Sequence, residues 1–132
     1  MGGYLLDTHV LLWWADDHPR LPPKIRRLIE DGSQEVWVSA VSCWEASIKA
    51  GQGKLQLPLE AQTFFQQVID KNHFLPLPIH ISHATGVFTL PKVHGDPFDR
   101  LLIAQARAER LAIISEDAIF EKYDLPGLVT GA

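Results

Sequence analysis

The sequence contains a single cysteine, Cys43, in 132 residues. It can therefore form no internal disulfide, and there is no Cys-x-x-Cys pair to hold zinc or run redox chemistry. This scarcity suits a reducing compartment, and the cytoplasm is the expected location. Long apolar runs are also missing. None approaches the roughly 18 residues that cross a bilayer, so no membrane association is expected. The opening Met-Gly-Gly-Tyr-Leu-Leu-Asp carries no basic segment, so no signal peptide is expected, and Leu6 stands where a myristoylation pattern asks for Ser or Thr. Positive charge is in short supply: 12 Lys and Arg against 16 Asp and Glu give a net charge of −4. A bulk basic footprint for nucleic acid is excluded, and any such contact must come from a local site. No Gly-x-x-x-x-Gly-Lys loop is present for a nucleoside triphosphate. The six histidines form no His-Glu-x-x-His motif, which disfavours a zinc hydrolase.

What is present reads as a folded α/β chain. Apolar residues make up 46% and charged residues 21%, near the globular average, and the length suits one domain spanning 1–132. Short apolar runs at Tyr4–Leu6, Val36–Val38 and Leu111–Ile114 predict buried strands. Leu75–Ile79, broken by Pro76 and Pro78, is at best a short strand, and Leu128–Thr130 is a candidate last one. Helices are predicted at Val10–Ala15, Lys24–Glu30, Val41–Ala50, Leu59–Lys71, His80–Leu90 and Ala118–Tyr123. Another spans Pro97–Arg110, with Pro97 at its first position and Asp96 as cap. This alternation argues a mostly parallel sheet covered on both faces, with ligands binding beyond the carboxyl ends of the strands.

Four acids stand where composition does not require them, and each has two readings. Asp7 ends the first strand and is either a helix cap or a site residue. Glu45 shares a helix face with Val41 and Ile48, and is either half of a surface pair with Lys49 or a site residue. Asp99 stacks with Leu102, Ile103 and Ala106. The helix dipole explains an acid in the first turn, but not one facing the core, where a carboxylate costs several kcal/mol unless paired or metal-bound. Asp117 follows the third clear strand. There Ser115 is a plausible cap, and Glu116 and Asp117 fit a first helical turn. Strand ends and leaning helices can gather the four at one sheet edge. Converging carboxylates repel one another unless a hard divalent cation compensates them; Mg²⁺ and Mn²⁺ prefer oxygen ligands and can activate a water against a phosphodiester.

The stretches Leu-Leu-Asp-Thr-His at 5–9, Val-Ser-Ala-Val-Ser-Cys-Trp-Glu at 38–45, His-Gly-Asp-Pro-Phe-Asp-Arg-Leu-Leu-Ile-Ala-Gln-Ala at 94–106 and Ile-Ser-Glu-Asp at 114–117 carry a resemblance. In order and spacing the chain resembles PIN-domain ribonucleases, most closely the VapC-like toxins of prokaryotic toxin–antitoxin pairs. The resemblance implies a three-layer α/β/α fold with about five parallel strands in the order 3-2-1-4-5. It implies a metal-dependent endoribonuclease using Mg²⁺ or Mn²⁺, with Asp7, Glu45, Asp99 and Asp117 as metal-binding acids. Ser115 would orient the last acid or the water, and Asp96 would support the site. An RNA substrate, a homodimer and a small inhibitory antitoxin protein are further implications.

The rival reading is a non-catalytic protein-binding module of the same fold, using Trp13, Trp14, Trp37 and Trp44. A phosphatase with an aspartyl nucleophile needs a second Asp at position 9, where His9 stands. His80, His83 and His94 read as polar surface or interface groups, with His94 nearest the acids. Lys49 and Arg100 lead Lys54, Lys92 and Arg107 as phosphate contacts because each neighbours a candidate ligand.

Overall fold

Each of the central strands is a short apolar run that stops at a hydroxyl or acidic residue, and these stops line one edge of the sheet. The computed structural model describes residues 2–131. In chain order the elements are β1 (Tyr4–Leu6), α1 (Thr8–Ala15), α2 (Pro23–Asp31), β2 (Val36–Ser39), α3 (Ala40–Gly51), α4 (Ala61–Asn72), β3 (Leu75–Leu77), α5 (Ile81–Gly86), α6 (Pro97–Glu109) and β4 (Ala112–Ile114). Two 3₁₀ segments, Val87–Thr89 and Ala118–Tyr123, complete the set.

The strands form a parallel sheet in the order β3-β2-β1-β4, with Tyr4 paired to both Val36 and Ala112. The fold class agrees with the sequence reading, and the strand count is the difference. The candidate strand at 128–130 shrinks to one parallel bridge, Val129 against Ile114. It occupies the position that the order 3-2-1-4-5 assigns to a fifth strand. It cannot lengthen, because Gly127 turns the chain through a left-handed conformation (φ 71°) just before it, and the N–H of Gly131 is drawn off to Glu116.

Side-chain alternation along the strands builds two cores. Leu6, Val36, Val38 and Ile114 face one way, against Val10 and Leu11 of α1, Ile25 and Ile29 of α2, and Phe65 and Val68 of α4. Leu5 and Ile113 face the other way, against Leu102 and Ile103 of α6 and against Phe120 and Tyr123. Helices thus cover both faces, which is why the strands are apolar throughout rather than alternating. Helix α3 serves both cores, with Ala46 in the first and Val41 in the second.

Three elements differ from expectation. The helix predicted over 80–90 divides at Gly86 into α5 and a 3₁₀ turn, which tucks Leu90 into the core (4% exposed) and leaves Phe88 91% exposed. Ala118–Tyr123 winds as 3₁₀ because its buried residues, Phe120 and Tyr123, are three apart, and that helix stacks i on i+3. His83 is not a surface group: it is fully buried. Its Nδ1 accepts the backbone N–H of His80 at 3.0 Å, and its Nε2 lies 2.8 Å from Glu109. Gln105 extends this buried string, donating to the Pro78 carbonyl at 3.1 Å and accepting from the Ser39 hydroxyl. The string ties the ends of β2 and β3 to α5 and α6 through satisfied polar contacts.

Ile103 has no exposed surface. Truncating it to Ala should cost about 2–5 kcal/mol of stability, and Ile103→Val about 0.5–1.5 kcal/mol, measured by urea unfolding.

Candidate active site

Asp7 is the cap of α1. Its Oδ1 accepts the Val10 N–H at 2.8 Å and so starts α1, while its own N–H continues the ladder to the Ile114 carbonyl at 3.1 Å. That ladder bond sets Asp7 beside Ser115, whose hydroxyl donates to Asp7 Oδ2. Asp7 is 4% exposed and Ser115 is fully buried. Ser115 Oγ also accepts the Asp117 N–H at 3.0 Å, so one hydroxyl joins the acids at the ends of two strands. Ser115 is not the cap of the segment that follows. Asp117 is, its Oδ1 accepting the Ile119 N–H at 3.0 Å. Glu116 turns to the Gly131 N–H instead.

The other two acids arrive on helices. Ser39, at the end of β2, caps α3 by accepting the Val41 N–H at 2.9 Å, and α3 then carries Glu45 inward. Glu45 does pair with Lys49, at 2.6 Å, yet this is no surface pair: the carboxylate is 5% exposed and the lysine 42%. Asp96 caps α6, accepting from the N–H groups of Phe98 at 2.9 Å and Asp99 at 3.2 Å, as predicted. Asp99, one turn in, has its Oδ2 3.3 Å from His94 Nε2.

The electrostatics show that these acids share a neighbourhood. Asp99 is raised to about 6, by burial first and then by the charge of Asp96, with the His94 hydrogen bond opposing and smaller contributions from Asp7 and Glu45. Burial also raises Asp7, with Asp117 adding to the rise while Ser115, Val10 and His9 oppose it. Asp99 thus lies within the field of Asp7 and Glu45, and Asp7 within that of Asp117, although the four come from the residues just after β1 and β4 and from α3 and α6. Among the described residues no group of three or more His, Cys, Asp or Glu side chains is placed to hold a metal ion. The donor set nevertheless fits a hard cation in its chemistry. It consists of carboxylate oxygens, it is short of compensating charge, and each acid keeps an acceptor lone pair beyond the contacts just described.

Of the two cations favoured for phosphate contact, Arg100 is otherwise engaged. It donates to the carbonyls of Pro91 at 2.8 Å, His94 at 3.4 Å and Val87 at 3.4 Å, and to the Tyr123 hydroxyl at 3.0 Å. It clamps the 87–94 loop. Sequence reasoning missed Tyr123 as well, because an aromatic in an apolar segment reads as core. Trp44, beside Glu45, is 51% exposed and meets Phe98, beside Asp99, edge-on at 5.0 Å.

The PIN domain family model matches residues 4–125, from the first strand to just past Tyr123. The chain belongs to the PIN domain family. This PIN domain is 32% identical over 127 residues to Ribonuclease VapC22 of Mycobacterium tuberculosis, an alignment covering 96% of this chain and 95% of that one. Its fold is that of VapBC2 from Rickettsia felis, solved bound to a DNA fragment from their promoter (TM-score 0.69, 15% identity, 98% of this chain and 97% of that one). A toxin–antitoxin complex from Klebsiella pneumoniae shares it too (TM-score 0.68, 19% identity, 98% of both chains).

Burying Asp99 beside other acids has a stability cost in this PIN domain. The folded state holds the Asp99 proton up to about pH 6, whereas the unfolded chain releases it near 3.8, so across that window the folded state binds more protons. Stability should therefore rise as pH falls through the window. In EDTA, Asp99→Asn should be more stable than wild type near neutral pH, by on the order of 2 kcal/mol, with the gap closing towards acid. Thermal melts across the range check this; a gap that widens on acidification would contradict it.

Proposed function

We propose that the protein is a metal-dependent endoribonuclease, the toxin of a toxin–antitoxin pair, with Asp7, Glu45, Asp99 and Asp117 holding Mg²⁺ or Mn²⁺. The single observation that carries the reading is geometric: Ser115, just after β4, donates to Asp7, just after β1, and accepts the Asp117 N–H. Acids from two strand ends thus meet at the carboxyl edge of the sheet, where Asp99, raised chiefly by burial and Asp96, also feels Asp7 and Glu45. A binding module has no use for that repulsion, and a hard cation relieves it. The near-full-length likeness to Ribonuclease VapC22 supports RNA as the substrate.

A divalent ion, when bound, supplies a nucleophilic water at neutral pH and neutralises charge gathering on the phosphate during in-line attack. The chain's own residues prepare the place. Ser115 and the Val10 N–H hold the Asp7 carboxylate in one orientation, and the Ser115 contact to the Asp117 N–H sets the last acid relative to the first. Lys49 offsets the buried charge of Glu45 and, being partly exposed, offers a positive group to an RNA phosphate. Water attack on phosphorus breaks the bond to the 3′ oxygen, leaving a 5′-phosphate and a 3′-hydroxyl.

The partner reading rests on the solved neighbours, which are toxin–antitoxin complexes by their own descriptions. A small antitoxin protein covers the site in this proposal, and the active form is a homodimer. Among the described residues no helix is long and apolar enough to cross a membrane. With one cysteine in the chain, the cytoplasm is the proposed location.

Asp7→Asn and Asp99→Asn should each lower cleavage of single-stranded RNA more than about 100-fold with the circular dichroism spectrum unchanged. EDTA should abolish wild-type cleavage, and added Mg²⁺ or Mn²⁺ should restore it. The same substitutions should relieve growth arrest on induction. Cleavage that persists in excess EDTA would overturn the reading.

A further inference from the structure

Tyr123 is 2% exposed, yet its hydroxyl lies against two polar groups, Arg100 at 3.0 Å and His94 Nδ1 at 2.6 Å. One direction along this chain gives every proton an acceptor. The guanidinium can only donate, so it occupies a lone pair of the tyrosine oxygen. The hydroxyl has one proton, and His94 Nδ1 is the acceptor within reach. That nitrogen then carries no proton, and the imidazole proton stands on Nε2, the atom 3.3 Å from Asp99 Oδ2. Arg100 reinforces the arrangement by bonding the carbonyls of Pro91 and His94, which fixes the loop bearing the histidine.

We infer that His94 is a positioning residue, locked by Tyr123 and Arg100 as the Nε2–H tautomer, which donates to Asp99 Oδ2 and so holds the carboxylate that would help bind a cation. The inference deepens the proposed metal site and rests on it. It accounts for three residues that otherwise have no shared purpose: a buried tyrosine hydroxyl, an arginine spent on loop carbonyls, and a histidine five positions ahead of the acid. The arrangement parallels what Ser115 does for Asp7. In each acid Oδ2 meets a donor that is itself oriented by a further group, although Asp7 Oδ1 is held as well, by the Val10 N–H.

The test combines two readouts on the full chain in the absence of RNA. Long-range ¹⁵N–¹H spectra of the metal-free protein should show the His94 Nε2–H tautomer in wild type, and Tyr123→Phe should lose that preference. Calorimetric titration with Mn²⁺ should give roughly tenfold weaker binding for His94→Ala, because losing a partner that orients a ligating carboxylate costs about 10–100-fold in affinity. His94→Gln, whose amide nitrogen can replace Nε2, should recover most of it. With RNA added, His94→Ala should lower kcat and leave KM unchanged. An Nδ1–H tautomer in wild type would overturn the inference. So would His94→Ala binding Mn²⁺ as tightly as wild type while Asp99→Asn binds it poorly. Undiminished binding by Asp99→Asn would instead remove the metal site itself, and this inference with it.

Discussion

The hydrogen bond from Ser115 to Asp7 is the contact on which the rest of this structure turns. It joins residues 108 positions apart, and it exists only because β1 and β4 run parallel in a register that sets Leu6 against Ile114. Through it the first acid, the last acid and the start of α1 become one rigid unit. Asp7 would otherwise be a buried carboxylate with a single backbone donor, and the turn after β4 would be free to place Asp117 elsewhere.

Helices bring the other two acids to the same edge by the same kind of device. Ser39 caps α3 and also donates to Gln105 of α6, so the helices carrying Glu45 and Asp99 are tied to each other through the end of β2. The buried His83, bonded to Glu109 and to the backbone of His80, closes this string on the far side. Polar groups are expensive in a core unless satisfied. Here they are satisfied by one another, and what their satisfaction secures is the relative placement of the acid-bearing elements.

Much of this was legible in the residues. The order of apolar runs and helical stretches placed β1, β2, β4 and α6 within a residue or two, and Asp96–Pro97 marked the start of α6. The acid facing the core from that helix, Asp99, was visible from its phase with Leu102, Ile103 and Ala106, and the matching stretches brought Asp7, Glu45 and Asp117 together with it. Less legible were features decided between elements. Arg100 looked like a phosphate contact because it neighbours Asp99, and it is instead consumed by carbonyls of a loop whose path no local pattern predicts. His83 looked like surface because isolated histidines usually are, and only the packing of α5 on α6 buries it. The last strand failed to extend because of its contacts with Glu116 and its turn at Gly127, not for want of apolar residues.

Local chemistry, written in the chain itself, determined which segments are strands or helices, where the caps fall and which carboxylates stand at apolar faces. Period and capping act over a few residues, and so they can be read without a fold. Tertiary structure alone decided that Glu45 is buried while its lysine stays partly exposed, that Ser115 reaches Asp7, and that Tyr123 and Arg100 meet at His94. Those facts depend on distances between parts of the chain that meet only after the parallel sheet has formed and its two cores have closed.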